Sequence, residues 1–126
     1  MARILIVDDE ASVRDLISEE LAEEGYEVSS VGSPESLWAA LRSSVPDVVL
    51  LDLYLNGVKG WEVLSRIKRQ HPDLPVLIVT AYDNFAEDPR VSQADGYVVK
   101  NFVALDELKR KIGGILKKKE IEIKVK

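Results

Sequence analysis

Asp8 and Asp9 stand side by side at the end of the first apolar run, Ile4-Leu5-Ile6-Val7, and Asp52 ends another, Val48-Val49-Leu50-Leu51. Carboxylates serve as metal ligands, proton acceptors or nucleophiles, and which of these they become depends on whether they meet. Two bare carboxylates about 5 Å apart repel by roughly 3 kcal/mol at an effective dielectric of roughly 20. Three at one site therefore call for a cation, and an all-oxygen donor set favours Mg2+ or a similar hard ion. Thr80 and Lys100 likewise end apolar runs, Val76-Leu77-Ile78-Val79 and Tyr97-Val98-Val99. An acidic trio with a metal, a hydroxyl and an ammonium suits transfer of a phosphoryl group to a carboxylate. Metal and lysine would neutralise the phosphoryl oxygens, the hydroxyl would donate a hydrogen bond, and the central carboxylate would attack.

That chemistry requires the runs to be neighbours that end at one edge. Continuous Val/Ile/Leu stretches read as parallel strands buried on both faces, and ligands collect beyond the carboxyl ends of such strands. Strand patterns near 3–7, 26–31, 47–51, 75–80 and 95–100 alternate with helix patterns near 11–24, 34–43, 60–70, 86–94 and 104–118. The first helix carries Val13, Leu16, Ile17 and Leu21 on one face and stops at Gly25. The second opens with Ser33 as N-cap and Pro34 at its first position. The third carries Val63, Leu64 and Ile67, and the last carries Leu105, Leu108, Ile112 and Ile115. This alternation predicts an α/β fold: a doubly wound, five-stranded parallel sheet of flavodoxin-like order 2-1-3-4-5 with five helices. In that order the first and third strands are adjacent, so Asp8, Asp9 and Asp52 converge.

Residues 1–118 read as one domain. The tail, 119–126, alternates apolar and charged residues (Glu120-Ile121-Glu122-Ile123-Lys124-Val125), a strand periodicity that reads as a linker, a frayed end or an added C-terminal edge strand. With 46% apolar and 31% charged residues the chain is ordinary for a folded domain rather than a disordered one. A net charge of −5 argues against direct binding to nucleic acid or an anionic membrane. The absence of cysteine excludes disulfides and thiolate metal sites. No apolar run approaches the roughly 20 residues that span a bilayer, and the N-terminal run is too short for a signal peptide. A cytoplasmic location is the simplest expectation.

With those residues in place the chain resembles the receiver domain of two-component response regulators, of the chemotaxis-Y-like kind, over about residues 2–118. The matching pieces are Ile4-Leu5-Ile6-Val7-Asp8-Asp9-Glu10, Asp47-Val48-Val49-Leu50-Leu51-Asp52-Leu53, Val76-Leu77-Ile78-Val79-Thr80-Ala81 and Gly96-Tyr97-Val98-Val99-Lys100. The resemblance implies that Asp52 is the phosphoacceptor, charged by a sensor histidine kinase or a phosphotransfer protein. It implies that Asp8, Asp9, Asp52 and the Tyr54 backbone carbonyl bind Mg2+. It further implies that Thr80 and Lys100 hold the phosphoryl group and that Thr80 and Tyr97 form a conformational switch. The output would pass to a downstream target or an effector domain, and a homodimer is left open. Such a domain catalyses its own phosphorylation and dephosphorylation but is not an enzyme for an external substrate.

Several features depart from the family pattern. Asn101 replaces the usual proline after the lysine, and a cis bond there would cost about 3 kcal/mol, which predicts a trans loop. Leu55-Asn56-Gly57 replaces the usual Met-Pro and predicts a tight turn with positive φ. Asp88-Pro89 predicts a short or displaced fourth helix starting near Pro89. Tyr54 and Tyr82 flank the pocket and are expected to crowd a hydrolytic water. Each residue also has a plainer use. Asp9 or Glu10 could cap the first helix, though a cap needs one acid and not three. Thr80 could be a strand residue, and Tyr97, Trp38 and Trp61 packing residues. His71, before Pro72, reads as a helix-ending surface residue. Two other functions compete: a degenerate receiver that binds partners regardless of phosphorylation, and an aspartyl-phosphate phosphatase. The phosphatase reading expects two acids with one residue between them after a single strand, whereas Asp8 and Asp9 are adjacent and Asp52 stands alone.

Overall fold

The computed structural model describes residues 1–55, 57–81, 87–100 and 104–125. Five parallel strands form one sheet: β1 Arg3–Val7, β2 Glu27–Val31, β3 Val48–Leu51, β6 Val76–Thr80 and β7 Gly96–Val99. Their order is β2-β1-β3-β6-β7, which is 2-1-3-4-5 when only the strands of this sheet are counted. The remaining strands, β4 Tyr54–Leu55 and β5 Val58–Lys59, pair antiparallel as a hairpin. The described residues form four α-helices, α1 Ala11–Glu23, α2 Pro34–Ser43, α3 Gly60–Gln70 and α4 Ala104–Val125, the last of them following the final strand.

The apolar runs are strands because each has a core on both sides. β3 and β6 are buried throughout, and β1 from Ile4 onward. Alternate residues point to opposite faces. Leu5, Val7, Val49, Leu51, Val76 and Ile78 pack with Leu37 and Leu41 of α2 and Val63, Leu64 and Ile67 of α3. Ile4, Ile6, Val48, Leu50, Leu77 and Val79 pack with Ile17 and Leu21 of α1 and Leu108 and Ile112 of α4. The sheet is therefore doubly wound, with a separate apolar layer on each face. Leu16, expected on the inner face of α1, is exposed.

The helix boundaries follow local chemistry. Ser33 caps α2 by accepting a hydrogen bond from the Ser36 N–H at 3.2 Å, and Pro34 follows at the first position. Gly25 ends the α1 turn with a φ of 92°, and Gly57 closes the β4–β5 turn with a φ of 81°. The Asp88-Pro89 signal starts a single 3-10 helix, Pro89–Gln93, in which the Asp88 carboxylate accepts the Arg90 N–H at 2.9 Å. Among the described residues the fold thus has four α-helices and one 3-10 turn rather than five helices.

The tail corrects a second expectation. Its residues up to Val125 form no edge strand, because α4 runs unbroken from Ala104 to Val125. A helix already nucleated extends at little cost, and Lys and Glu are good helix formers. The apolar-charged alternation reports a face only where something covers that face. Asn101 and Tyr82 lie outside the described residues.

Candidate functional site

Sheet register brings the sequence-predicted residues to one edge. Val7 pairs with Leu51, and the Asp52 N–H donates to the Val7 carbonyl at 3.0 Å, so Asp8 and Asp52 leave adjacent strands side by side. Thr80 pairs with Val99, and the Lys100 N–H donates to the Thr80 carbonyl at 2.6 Å. The carboxylates of Asp8, Asp9 and Asp52 each offer an oxygen within 4.8 Å of the others. Asp8 is 3% exposed and Asp52 7%, while Asp9 is half-buried. Lys100 lies between the two buried acids, its Nζ 2.7 Å from Asp8 Oδ2 and 3.2 Å from Asp52 Oδ2.

The plainer use of Glu10 as a helix cap does not hold. Glu10 occupies the N-cap position of α1 without a side-chain cap hydrogen bond. Asp8 Oδ1 instead accepts the Glu10 N–H at 2.9 Å, which fixes one of its oxygens inside the loop. Asp52 Oδ1 accepts the Tyr54 N–H at 3.3 Å. Gly60, the first residue of α3, donates its N–H to the Leu53 carbonyl at 2.7 Å. A Cβ on Gly60 would come within 2.7 Å of Leu53 Cα and 2.8 Å of the Asp52 carbonyl oxygen, so only glycine permits this approach. The start of α3 is thereby pressed against the loop that carries Asp52.

Charge is unbalanced here. Burial holds the Asp52 carboxyl above its ordinary range, an effect that the Asp8 charge reinforces and the Lys100 charge opposes. Burial alone would lower the Lys100 pKa. The hydrogen bond to Asp8 and the charges of Asp52 and Asp8 outweigh it, so the ammonium is held above its usual range. Among the described residues the Lys100 ammonium bridges two of the three carboxylates, Asp8 and Asp52. Such a set of hard oxygen donors fits a divalent cation of the Mg2+ type.

Thr80 carries the second signal. Its side chain is fully buried, and Oγ1 makes no hydrogen bond among the described residues. A buried hydroxyl without a partner is uncommon, and each instance calls for an explanation. This one stands at the end of β6, next to the strand that delivers Asp52 and paired with the strand that delivers Lys100. A tetrahedral anion bound to Asp52 would supply the acceptor it lacks.

The other predicted residues are placed as follows. Tyr54 opens β4 and is 40% exposed. Tyr97 lies on edge strand β7, packed against the α2/α3 side of the core, and its carbonyl accepts Lys111 Nζ at 2.7 Å. Trp61 is buried under the Arg90 guanidinium, 4.6 Å from the ring centre, and Trp38 lies under Arg66 at 4.1 Å. Both are packing residues stacked with a cation. His71 lies in the turn after α3, where its carbonyl accepts the Leu74 N–H at 3.0 Å. Sequence reading passed over Arg14, whose Nη1 donates to the Asp8 carbonyl at 2.6 Å. The signal available was a cation in the first turn of a helix, where the macrodipole disfavours it.

Comparison with known proteins agrees with this geometry. The response regulator TrrA of Thermotoga maritima, solved in complex with Mg2+–BeF, is 40% identical, with a TM-score of 0.86 over 92% of this chain and all of that one. A complex of the histidine kinase ThkA with TrrA matches with 40% identity and a TM-score of 0.85, over 92% of this chain and 99% of that one. The probable transcriptional regulatory protein TcrX of Mycobacterium tuberculosis is 34% identical over 119 residues, which cover 91% of this chain. The chain spans from a fifth to about half of the length of the curated relatives it matches. The response regulator receiver domain model matches residues 4–113, and the chain belongs to that family.

Proposed function

We propose that the chain is a phosphorylation-controlled signalling receiver in which Asp52 accepts a phosphoryl group from the phosphohistidine of a sensor kinase or phosphotransfer protein. The donor P–N bond breaks as an Asp52 Oδ–P bond forms, and later attack by water returns the carboxylate and releases phosphate. The buried Thr80 hydroxyl, without a partner among the described residues, carries this reading, because it supplies the donor that a phosphoryl oxygen on Asp52 would need. Lys100 already spans Asp8 and Asp52 and would shift toward the added charge. Asp8, Asp9 and Asp52, with the Tyr54 backbone carbonyl, would hold Mg2+, which neutralises the oxygens of the transferring group.

Movement of Thr80 toward the phosphoryl group vacates space that Tyr97 can occupy, and this pair biases a two-state output face. The chain acts only on itself and does not turn over an external substrate. The ThkA–TrrA complex supports a kinase partner, and the greater length of the relatives supports an effector domain or separate target as recipient. The net charge of −5 keeps this domain off nucleic acid, and the cytoplasm is the setting this reading assigns. No helix among the described residues is long and apolar enough to cross a membrane.

The test is mass analysis after exposure to Mg2+ and acetyl phosphate. Wild type gains one phosphoryl group, labile to hydroxylamine, and Asp52→Asn gains none. An unmodified wild type, or equal modification of the variant, overturns the assignment. Partner binding that persists in Asp52→Asn would mark a phosphorylation-independent module instead.

A further inference from the structure

We infer that Arg14 and Gly32 form one positioning device for the acidic pocket: Gly32 leaves room for the Arg14 guanidinium, and that guanidinium sets the peptide joining Asp8 to Asp9. The inference rests on the metal-dependent receiver reading above. Three other groups hold Asp8. Its N–H donates to the Val31 carbonyl at 3.1 Å, Oδ1 accepts the Glu10 N–H at 2.9 Å, and Oδ2 accepts Lys100 Nζ at 2.7 Å. Its carbonyl oxygen is held by Arg14 Nη1 at 2.6 Å. That carbonyl belongs to the planar peptide whose nitrogen is Asp9 N, so fixing it fixes how the two carboxylates are presented relative to each other.

Helix stability gives no reason for an arginine here. Arg14 lies in the first turn of α1, where a cation opposes the macrodipole, and its half-buried side chain reaches back across the loop. Gly32 follows β2 directly. A Cβ at that position would lie 2.8 Å from Arg14 Nη1, 3.4 Å from Cζ and 3.7 Å from Nη2. The guanidinium is therefore seated on the bare face of the glycine. An alanine there would displace it from the Asp8 carbonyl without touching any carboxylate.

Charge and position predict opposite results. If Arg14 acted mainly by its positive charge, removing it would tighten Mg2+ binding. If it acts by holding the Asp8–Asp9 peptide, removal weakens binding, and groups that orient metal ligands typically contribute about 10-fold or more in affinity. The experiment is calorimetric titration of the full chain with Mg2+, alongside the Mg2+ dependence of phosphorylation by acetyl phosphate, for wild type, Arg14→Met, Gly32→Ala and the double variant. Each single variant should raise the Mg2+ midpoint about 10-fold, with the rate at saturating Mg2+ unchanged. The double variant should be no worse than Arg14→Met alone, because Gly32 acts only through Arg14. The inference is overturned if Arg14→Met tightens Mg2+ binding, if Gly32→Ala leaves the midpoint unmoved, or if the double variant shows the product of the single effects. Normal Mg2+ titration without phosphorylation of wild type would sink the functional reading and leave this one to be judged by calorimetry.

Discussion

Replacing Thr80 with valine should move the protein in opposite directions before and after phosphorylation. The side chain is fully buried at the end of β6, and its hydroxyl has no partner among the described residues. Valine keeps the branched shape and removes the oxygen, while the backbone bond from the Lys100 N–H to the residue 80 carbonyl is untouched. An unsatisfied buried polar group costs about 1–3 kcal/mol, so Thr80→Val should stabilise the Mg2+-free protein by about 1–2 kcal/mol. At roughly 2.1 cal/mol/K per residue, a chain of 126 residues has an unfolding entropy near 0.26 kcal/mol/K. The midpoint of thermal unfolding should therefore rise by about 4–8 °C. In the phosphorylated state the proposed function has this hydroxyl donate to a charged acceptor, so the same change should cost about 1.5–3 kcal/mol, and the shift that phosphorylation adds to the melting temperature should largely vanish. Differential scanning calorimetry with and without Mg2+ and beryllofluoride reads both effects. A variant that melts lower than wild type without ligand, or that keeps the full ligand-induced shift, refutes the reasoning.

Other perturbations test different parts of the structure. Lys100→Met leaves Asp8 and Asp52 facing each other unneutralised and should cost about 3 kcal/mol in urea denaturation without metal. Added Mg2+ should recover part of that loss, and equal loss with and without metal would contradict the charge argument. Gly113 and Gly114 lie inside α4, where a Cβ on either would meet nothing within 4 Å. Their joint replacement by alanine should stabilise the fold by about 2 kcal/mol, and any destabilisation would reveal a role for the glycines beyond space. Asp88 is held down to about 2, first by the Arg90 side-chain hydrogen bond and then by the Arg90 N–H. Because its folded pKa lies below the unfolded value, its contribution is complete above about pH 4 and disappears as pH falls through about 2. Carboxyl NMR titration should show this low midpoint, and Arg90→Ala should return it toward the ordinary range.

The order and edges of the sheet were legible because β1, β3 and β6 are covered on both faces, so burial alone dictated unbroken apolar runs ending in polar residues. The convergence of Asp8, Asp9, Asp52, Thr80 and Lys100 then followed from strand order. The β4–β5 hairpin was not legible, since two-residue strands contain too few positions for any period. Only the Asn56-Gly57 turn was signalled. The tail misled because its alternation lies where no sheet edge receives it, and helix propagation from Leu108 and Ile112 prevails. Arg14 and Gly32 meet only because β2 runs alongside β1, and nothing local to either residue announces the contact.

The glycine that opens α3 has a practical consequence. Since that residue admits no side chain between itself and the backbone of Asp52 and Leu53, the next residue in the chain, Trp61, is tethered through Gly60 to the loop that carries Asp52. Its ring is shielded from solvent and capped by a guanidinium from the 3-10 turn, so a small shift on either side alters the surroundings of a native fluorophore. The only other tryptophan, Trp38, lies on α2 under a different arginine. With that residue changed to phenylalanine, the molecule becomes a single-colour optical gauge of its own chemistry, readable in real time without a label.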